Sequence, residues 1–180
     1  MKIKPIAPKI EEDESIAFAR AKVMDFLPHG MPCPVCNQYC KLYKRKLSSG
    51  MVKALIKLAT VQSKFNMVEI KIWVDASKLN LAGGDYAKLR WWDLVEHRKL
   101  RKDEKESNLK KDSGKWRVTQ DGIKFLSGEI EVPRYIFIYN NRVSMFSAER
   151  TDAKSALGDK FNFGELMQPF MQSLINQKVA

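Results

Sequence analysis

Nowhere in its 180 residues does the chain carry a run approaching the roughly 20 apolar residues of a membrane span. Its first residues, with Lys2, Lys4 and Pro5, hold no apolar stretch of signal-peptide type. Both absences point to a cytoplasmic protein without a membrane partner. Cysteine is scarce: Cys33, Cys36 and Cys40 are the only three, an odd number at short spacing, which argues against a secreted disulfide scaffold. Histidine occurs only as His29 and His97, and neither stands beside a Ser or Asp in a catalytic pattern. Paired carboxylates in a plausible site, a phosphate-cradling glycine loop and a nucleophile elbow are all missing, so the expectation is a protein that is not an enzyme.

Acidic residues are also missing from 26 to 68, a stretch with seven basic ones; from 97 to 117 there are nine basic and four acidic. These two segments contain the excess behind a formal net charge of +11, while the rest of the chain is balanced. Solvated surface lysine is one explanation. Localisation of the excess on either side of a helix pair favours a polyanion, because neutralising phosphates releases counterions.

The chain is long enough for a hydrophobic core and divides, on composition, into three parts. An arm and short helix occupy 1–28, with Ser15 placed to cap a helix that Pro28 ends. A main domain occupies 29–148, and a linker with an amphipathic helix, kinked or split at Pro169, occupies 149–180. The exposed Met and Phe side chains of that last helix would dock on the domain or form a homodimer.

Cys33-Pro-Val-Cys36 has the Cys-x-x-Cys spacing of a zinc knuckle. A structural zinc needs four ligands, and with no second such pair the nearest additions are Cys40 and His29. Two other readings stay open: small apolar turn residues, or a redox pair. A metal here would hold the basic turn containing Lys41, Lys44, Arg45 and Lys46 in place.

Downstream, Ser48 or Ser49 caps a helix near 49–62, and alternation predicts a strand at 67–74. Asp75 to Asn80 reads as a short helix, Leu81 to Gly84 as a turn, and Asp85 as the cap of a longer helix to Glu96. On a helical wheel Ala87, Trp91, Leu94 and Val95 share its apolar face. Residues 97–116 read as a loop or a long wing. Trp116 and Val118 alternate with Lys115 and Arg117, Thr119 can cap, and Gly122, Phe125 and Leu126 follow at helical spacing. Strands at 131–139 and 142–146 meet at Asn140-Asn141, residues suited to a tight hairpin that would extend the same sheet.

The strand Trp116-Arg-Val-Thr119 followed by Gly122 and Phe125-Leu126 resembles the second wing strand and following helix of winged-helix domains. That resemblance implies an α+β fold, a winged helix-turn-helix domain with an extra β-hairpin and N- and C-terminal helical extensions. It also implies a Thr119 cap, close packing at Gly122 and double-stranded DNA as partner, with the second helix of the pair entering the major groove. Lys78, Asn80, Lys88 and Arg90 would then touch DNA, with Lys41, Lys44, Arg45, Lys46, Arg101, Lys102, Lys110 and Lys111 along the backbone. The order Cys33-Pro-Val-Cys36, Tyr43-Lys-Arg-Lys-Leu47, Leu89-Arg-Trp-Trp92, Trp116-Arg-Val-Thr119 and Val132-Pro133 further resembles uncharacterised proteins of bacteriophages and prophages. Cys40 and His29 are not part of that pattern. The function expected is a phage-encoded transcriptional regulator or accessory DNA-binding factor in a bacterial cell. The alternative is a phage accessory protein that uses the same scaffold to bind a host protein.

Overall fold

The computed structural model describes residues 15–64, 72–81, 83–100 and 113–178. In chain order its elements are α1 (Ile16–Phe26), β1 (Met31–Pro32), β2 (Tyr39–Cys40), β3 (Tyr43–Lys46) and α2 (Ser49–Ser63). Then come β4 (Val74–Asp75), 3-10 helices at Ala76–Leu79 and Asp85–Trp92, β5 (Val95–His97), β6 (Lys115–Val118) and α3 (Gln120–Ser127). The chain continues through β7 (Val132–Pro133), β8 (Tyr135–Tyr139), β9 (Arg142–Phe146), β10 (Arg150–Thr151), α4 (Ala153–Leu157) and α5 (Phe163–Lys178). The class is mixed α+β with small sheets.

Two compact units emerge. The first combines the described residues up to Arg45 with Tyr135–Ser147, and the second combines Lys46–Arg134 with the described residues from Ala148 onward. In the first, Ser15 Oγ accepts the Phe18 N–H at 3.2 Å and starts α1, which buries Ala19 and Val23. Val23, Leu27, Met31 and Cys40 form its core, with Phe26, Leu42 and Tyr139 packed against them. The β8–β9 hairpin turns at Asn140 and Asn141, whose φ values of 47° and 57° are the left-handed pair that a two-residue turn of this kind requires. Instead of extending the sheet that holds residues 115–118, the hairpin forms its own three-stranded sheet in the order β3-β8-β9. The strand expected at 131–139 breaks at Arg134, and its first part, β7, pairs instead with β10.

The second unit is built around α2. Ser48 Oγ caps it at 3.4 Å, and Met51, Val52, Leu55, Leu58 and Ala59 are buried along it. Each fully buried side chain of the larger kind contributes roughly 1.5–3 kcal/mol. β6 lies against α2 as the centre of a sheet ordered β4-β6-β5, antiparallel to both neighbours. The expected alternation holds: Trp116 and Val118 are buried, Lys115 and Arg117 are not. Thr119 Oγ1 accepts the Gly122 N–H at 3.0 Å to begin α3 and donates to the Asp93 carbonyl at 2.5 Å. Before it, Asp75 caps Ala76–Leu79; the Ser77 hydroxyl and N–H hold its carboxyl below the usual carboxylate range. That cap's contribution is therefore present above the ordinary carboxylate range and is lost as pH falls through the lowered value.

The expectations for 85–96 need correcting as well. Residues 85–92 form a 3-10 helix, not an α-helix, and Asp85 does not cap it, since the cap position belongs to Gly84. With three residues per turn, Leu89 and Trp92 eclipse one another and are the pair that is buried, in place of Ala87 and Trp91. The helix also stops at Asp93, which takes a left-handed conformation (φ 56°), and Val95–His97 becomes a strand of the β6 sheet. Beyond these, the linker after the hairpin contains α4, started by the Asp152 carboxylate accepting the Ser155 N–H at 2.9 Å. α5 runs on through Pro169, and its Met167 and Phe170 are buried where it packs on α2, with the Ser63 and Ser173 hydroxyls bonded between them. Of the predicted strand at 67–74, only Ile72 to Val74 is described, and only Val74 is in a strand.

Candidate functional site

Of the expected nucleic-acid contacts, Lys41, Lys44 and Arg45 belong to the first unit, and Lys46, Lys78, Asn80, Lys88 and Arg90 to the second. Arg101, Lys102, Lys110 and Lys111 lie outside the described residues. All four side chains of β3 are exposed, and Lys44 Nζ stands 3.9 Å over the Tyr135 ring, which fixes its direction. Lys78 and Asn80 are exposed at the end of the first 3-10 helix, where Asn80 adopts the left-handed cap (φ 46°). Lys88 Nζ is ion-paired with Asp85 one turn earlier, so it is partly committed within its own helix. Arg90 is exposed, its guanidinium 5.8 Å from the centroid of the Trp91 ring.

The 3-10 geometry that buries Trp92 turns Trp91 the other way, onto a cleft of about 780 Å³ whose walls include Trp73, Arg90, Trp91, Glu96, His97 and Lys99. The sheet assembles it. Trp73 immediately precedes β4, Glu96 and His97 sit on β5, and Arg117 of β6 crosses between them. The Arg117 guanidinium lies 4.5 Å over Trp73 while its Nε donates to Glu96 Oε2 at 2.6 Å, matching the Glu96–Arg117 register. His97 rests on Trp116, ring centroids 4.6 Å apart. Sequence reading identified Arg90 but missed Trp73, Trp91, Glu96 and Lys99. The repeat Tyr86, Leu89, Trp92 at intervals of three was the available signal.

In the first unit the cysteine turn closes on itself: the Cys33 N–H donates to the Gln38 carbonyl at 2.7 Å and the Asn37 N–H to the Cys33 carbonyl at 2.8 Å. The backbone N–H groups of Cys36 and Val35, and then the thiols of Cys36 and Cys40, hydrogen-bond the Cys33 sulfur and hold its thiol below the ordinary range. Cys40 is buried, and the Tyr139 hydroxyl donates to its sulfur at 3.6 Å. His29 is exposed with its ring edge toward Phe26, 6.5 Å between centroids. Among the described residues no group of three or more His, Cys, Asp or Glu side chains is disposed to hold a metal ion.

A thiol with a lowered pKa remains thiolate to lower pH. Alkylation of the folded protein, followed by mass spectrometry, should therefore show Cys33 reacting at lower pH than in the denatured chain. Identical pH profiles in the two states would contradict the hydrogen-bonded turn.

Among the described residues no helix is long and apolar enough to cross a membrane. Comparison with known protein families, curated proteins and solved structures gives no match to this chain.

Proposed function

We propose that the chain is a DNA-binding protein of winged helix-turn-helix type, a phage-encoded transcriptional regulator or accessory factor acting in the bacterial cytoplasm. One observation carries the reading. Two short helices separated by a turn lead directly into the antiparallel pair β5–β6, and the connection between those strands, 98–114, has seven basic and four acidic residues. In a winged helix a helix pair is followed by a wing whose cations meet the phosphates of a duplex, and the order and charge of this stretch support that reading. The exposed cations of β3 add a second phosphate-binding surface.

Neutralising Lys44, Arg45 and Lys46, or Lys110 and Lys111, should weaken binding to all sequences and flatten the salt dependence by roughly one unit of slope for each phosphate no longer neutralised. Arg90, exposed at the end of its helix, should cost about 1 to 3 kcal/mol at a preferred site. Lys88, held by Asp85, should cost less. Unaltered affinity after both blocks are neutralised would refute the assignment.

A second reading, binding of a host protein, is favoured by the apolar side chains that α1 leaves exposed, Ile16, Phe18 and Met24 at 68%, 45% and 53%. On α5, Met171 and Ile175 remain exposed beside the docked Met167 and Phe170, and they form the surface for any homodimer. A structural zinc drawing its ligands from Cys33, Cys36, Cys40 and His29 is a subsidiary proposal, and it needs these side chains to close around the metal from the arrangement described above. It requires about one metal per chain by elemental analysis and a lower melting temperature after chelation.

A further inference from the structure

We propose that the cleft between Trp73 and Trp91 binds an unpaired nucleobase, so that the second unit engages single-stranded as well as duplex nucleic acid. The proposal deepens the nucleic-acid reading and rests on it for the class of partner. Its evidence is the composition of one cavity: two half-buried indoles, the cations Arg90 and Lys99 on its walls, and Arg117 stacked on Trp73. Every base has a π-face, and indole rings are stacking platforms for bases that are free of a duplex. A base held in its own pair has both faces covered by neighbours and cannot enter such a cleft.

Charge decides the class of guest. Aromatic cleft walls also suit cations, and Asp93 and Glu96 are present to attract one. Yet Glu96 already accepts from Arg117, and both indoles have a guanidinium close by, Arg117 on Trp73 and Arg90 on Trp91. With Arg117 and Glu96 paired to each other, Arg90 and Lys99 against Asp93 leave the cleft favourable to an anion with a flat ring, which is the description of a nucleotide. Arg90 and Lys99 would meet the phosphates. Asp93, and the Glu96 oxygen that Arg117 does not engage, supply acceptors for exocyclic amino groups, so oligothymidine, which has no exocyclic amino group, should bind less tightly than strands rich in guanine or cytosine.

The test uses fluorescein-labelled 12-nucleotide single strands and the matching duplex, titrated with the full chain at about 50 mM salt and followed by anisotropy. Trp73→Ala and Trp91→Ala should each weaken single-strand binding by about 5- to 100-fold, the usual worth of one stacked base, with duplex affinity changed by no more than about twofold. Trp91→Phe, which keeps a π-face, should recover most of the loss. Single-strand binding that survives both alanine substitutions overturns the cleft assignment. So does a chain that binds duplex and not single strand, and in that case the duplex reading stands. Single-strand binding through the cleft without duplex binding supports this inference and overturns the duplex reading. No binding to either form overturns both. Should an alanine variant lose its melting transition, photo-crosslinking the intact chain to a 4-thiothymidine strand decides the matter. Adducts on Trp73 or Trp91 support the cleft, and adducts only elsewhere overturn it.

Discussion

Gln62→Leu is expected to destabilise the protein by about 2 to 6 kcal/mol, the sum of two stranded backbone groups at roughly 1–3 kcal/mol each. Gln62 is 3% exposed in the last turn of α2. Its Oε1 accepts the Val118 N–H at 2.8 Å, and its Nε2 donates to the Val118 carbonyl at 3.3 Å. Among the described residues β4 pairs with β6 at Trp116 and Lys115, and no strand lies alongside Val118 on that edge. One side-chain amide continues the ladder where the neighbouring strand ends. Leucine fits the volume but neither donates nor accepts, leaving both groups buried without a partner. At about 2–4 °C per kcal/mol for a chain of this size, the melting temperature should fall by roughly 4 to 24 °C. Gln62→Glu should show the same dependence with a pH signature. Only the protonated carboxyl can donate to the Val118 carbonyl, so the folded state takes up a proton and stability should rise as pH falls. Urea melts of the three proteins at two pH values measure both effects, and a loss below about 1 kcal/mol for Gln62→Leu would contradict the account.

The second large effect is expected at Gly122. A Cβ there would stand 2.3 Å from the Leu94 carbonyl oxygen and 2.6 Å from Val118 Cγ1. The carbonyl cannot rotate away, because it accepts the Thr119 N–H at 3.2 Å and belongs to the turn that leads into β5. Overpacking of this kind costs typically 1–3 kcal/mol, against a gain of about 0.8–1 kcal/mol for alanine over glycine in a helix. Gly122→Ala should therefore lose up to about 2 kcal/mol, and Gly122→Val more. Gly50 provides the contrast: it is exposed on α2, and the nearest atom to its added Cβ is Ser48 Oγ at 3.9 Å. Gly50→Ala should be neutral or stabilising by up to about 1 kcal/mol. Equal melting temperatures for the two alanine variants would remove the close-packing argument.

Elements whose residues carry their own local reason are legible in the sequence. α2 starts at its serine cap, Thr119 closes the turn between β6 and α3, and Asn140-Asn141 turn the hairpin, because a side chain or a φ value decides each within a few residues. What depended on distant pairing was not readable. The choice of β3 as the hairpin's partner is a long-range register decision, and β7 pairs with β10 across a separation of 17 or more residues. The 3-10 helix was missed for a different reason. At eight residues, with Trp91 and Trp92 adjacent, the apolar positions satisfy either period, and burial of Trp92, whose indole N–H donates to the Pro133 carbonyl at 2.6 Å, settles which. The cleft follows from that choice. Trp73 and Trp91 are 18 positions apart, and only the β4-β6-β5 sheet brings them together.

The central claim, that this basic chain binds nucleic acid, is tested most directly by titrating the intact protein against labelled duplex and single-stranded DNA between about 50 and 200 mM salt. The account predicts binding at the lowest salt to both forms and a linear fall of log affinity with log salt, with a slope that reports several neutralised phosphates. Absence of binding to either form at about 50 mM salt, or an affinity that does not change with salt, would contradict it and leave a protein partner as the reading to pursue.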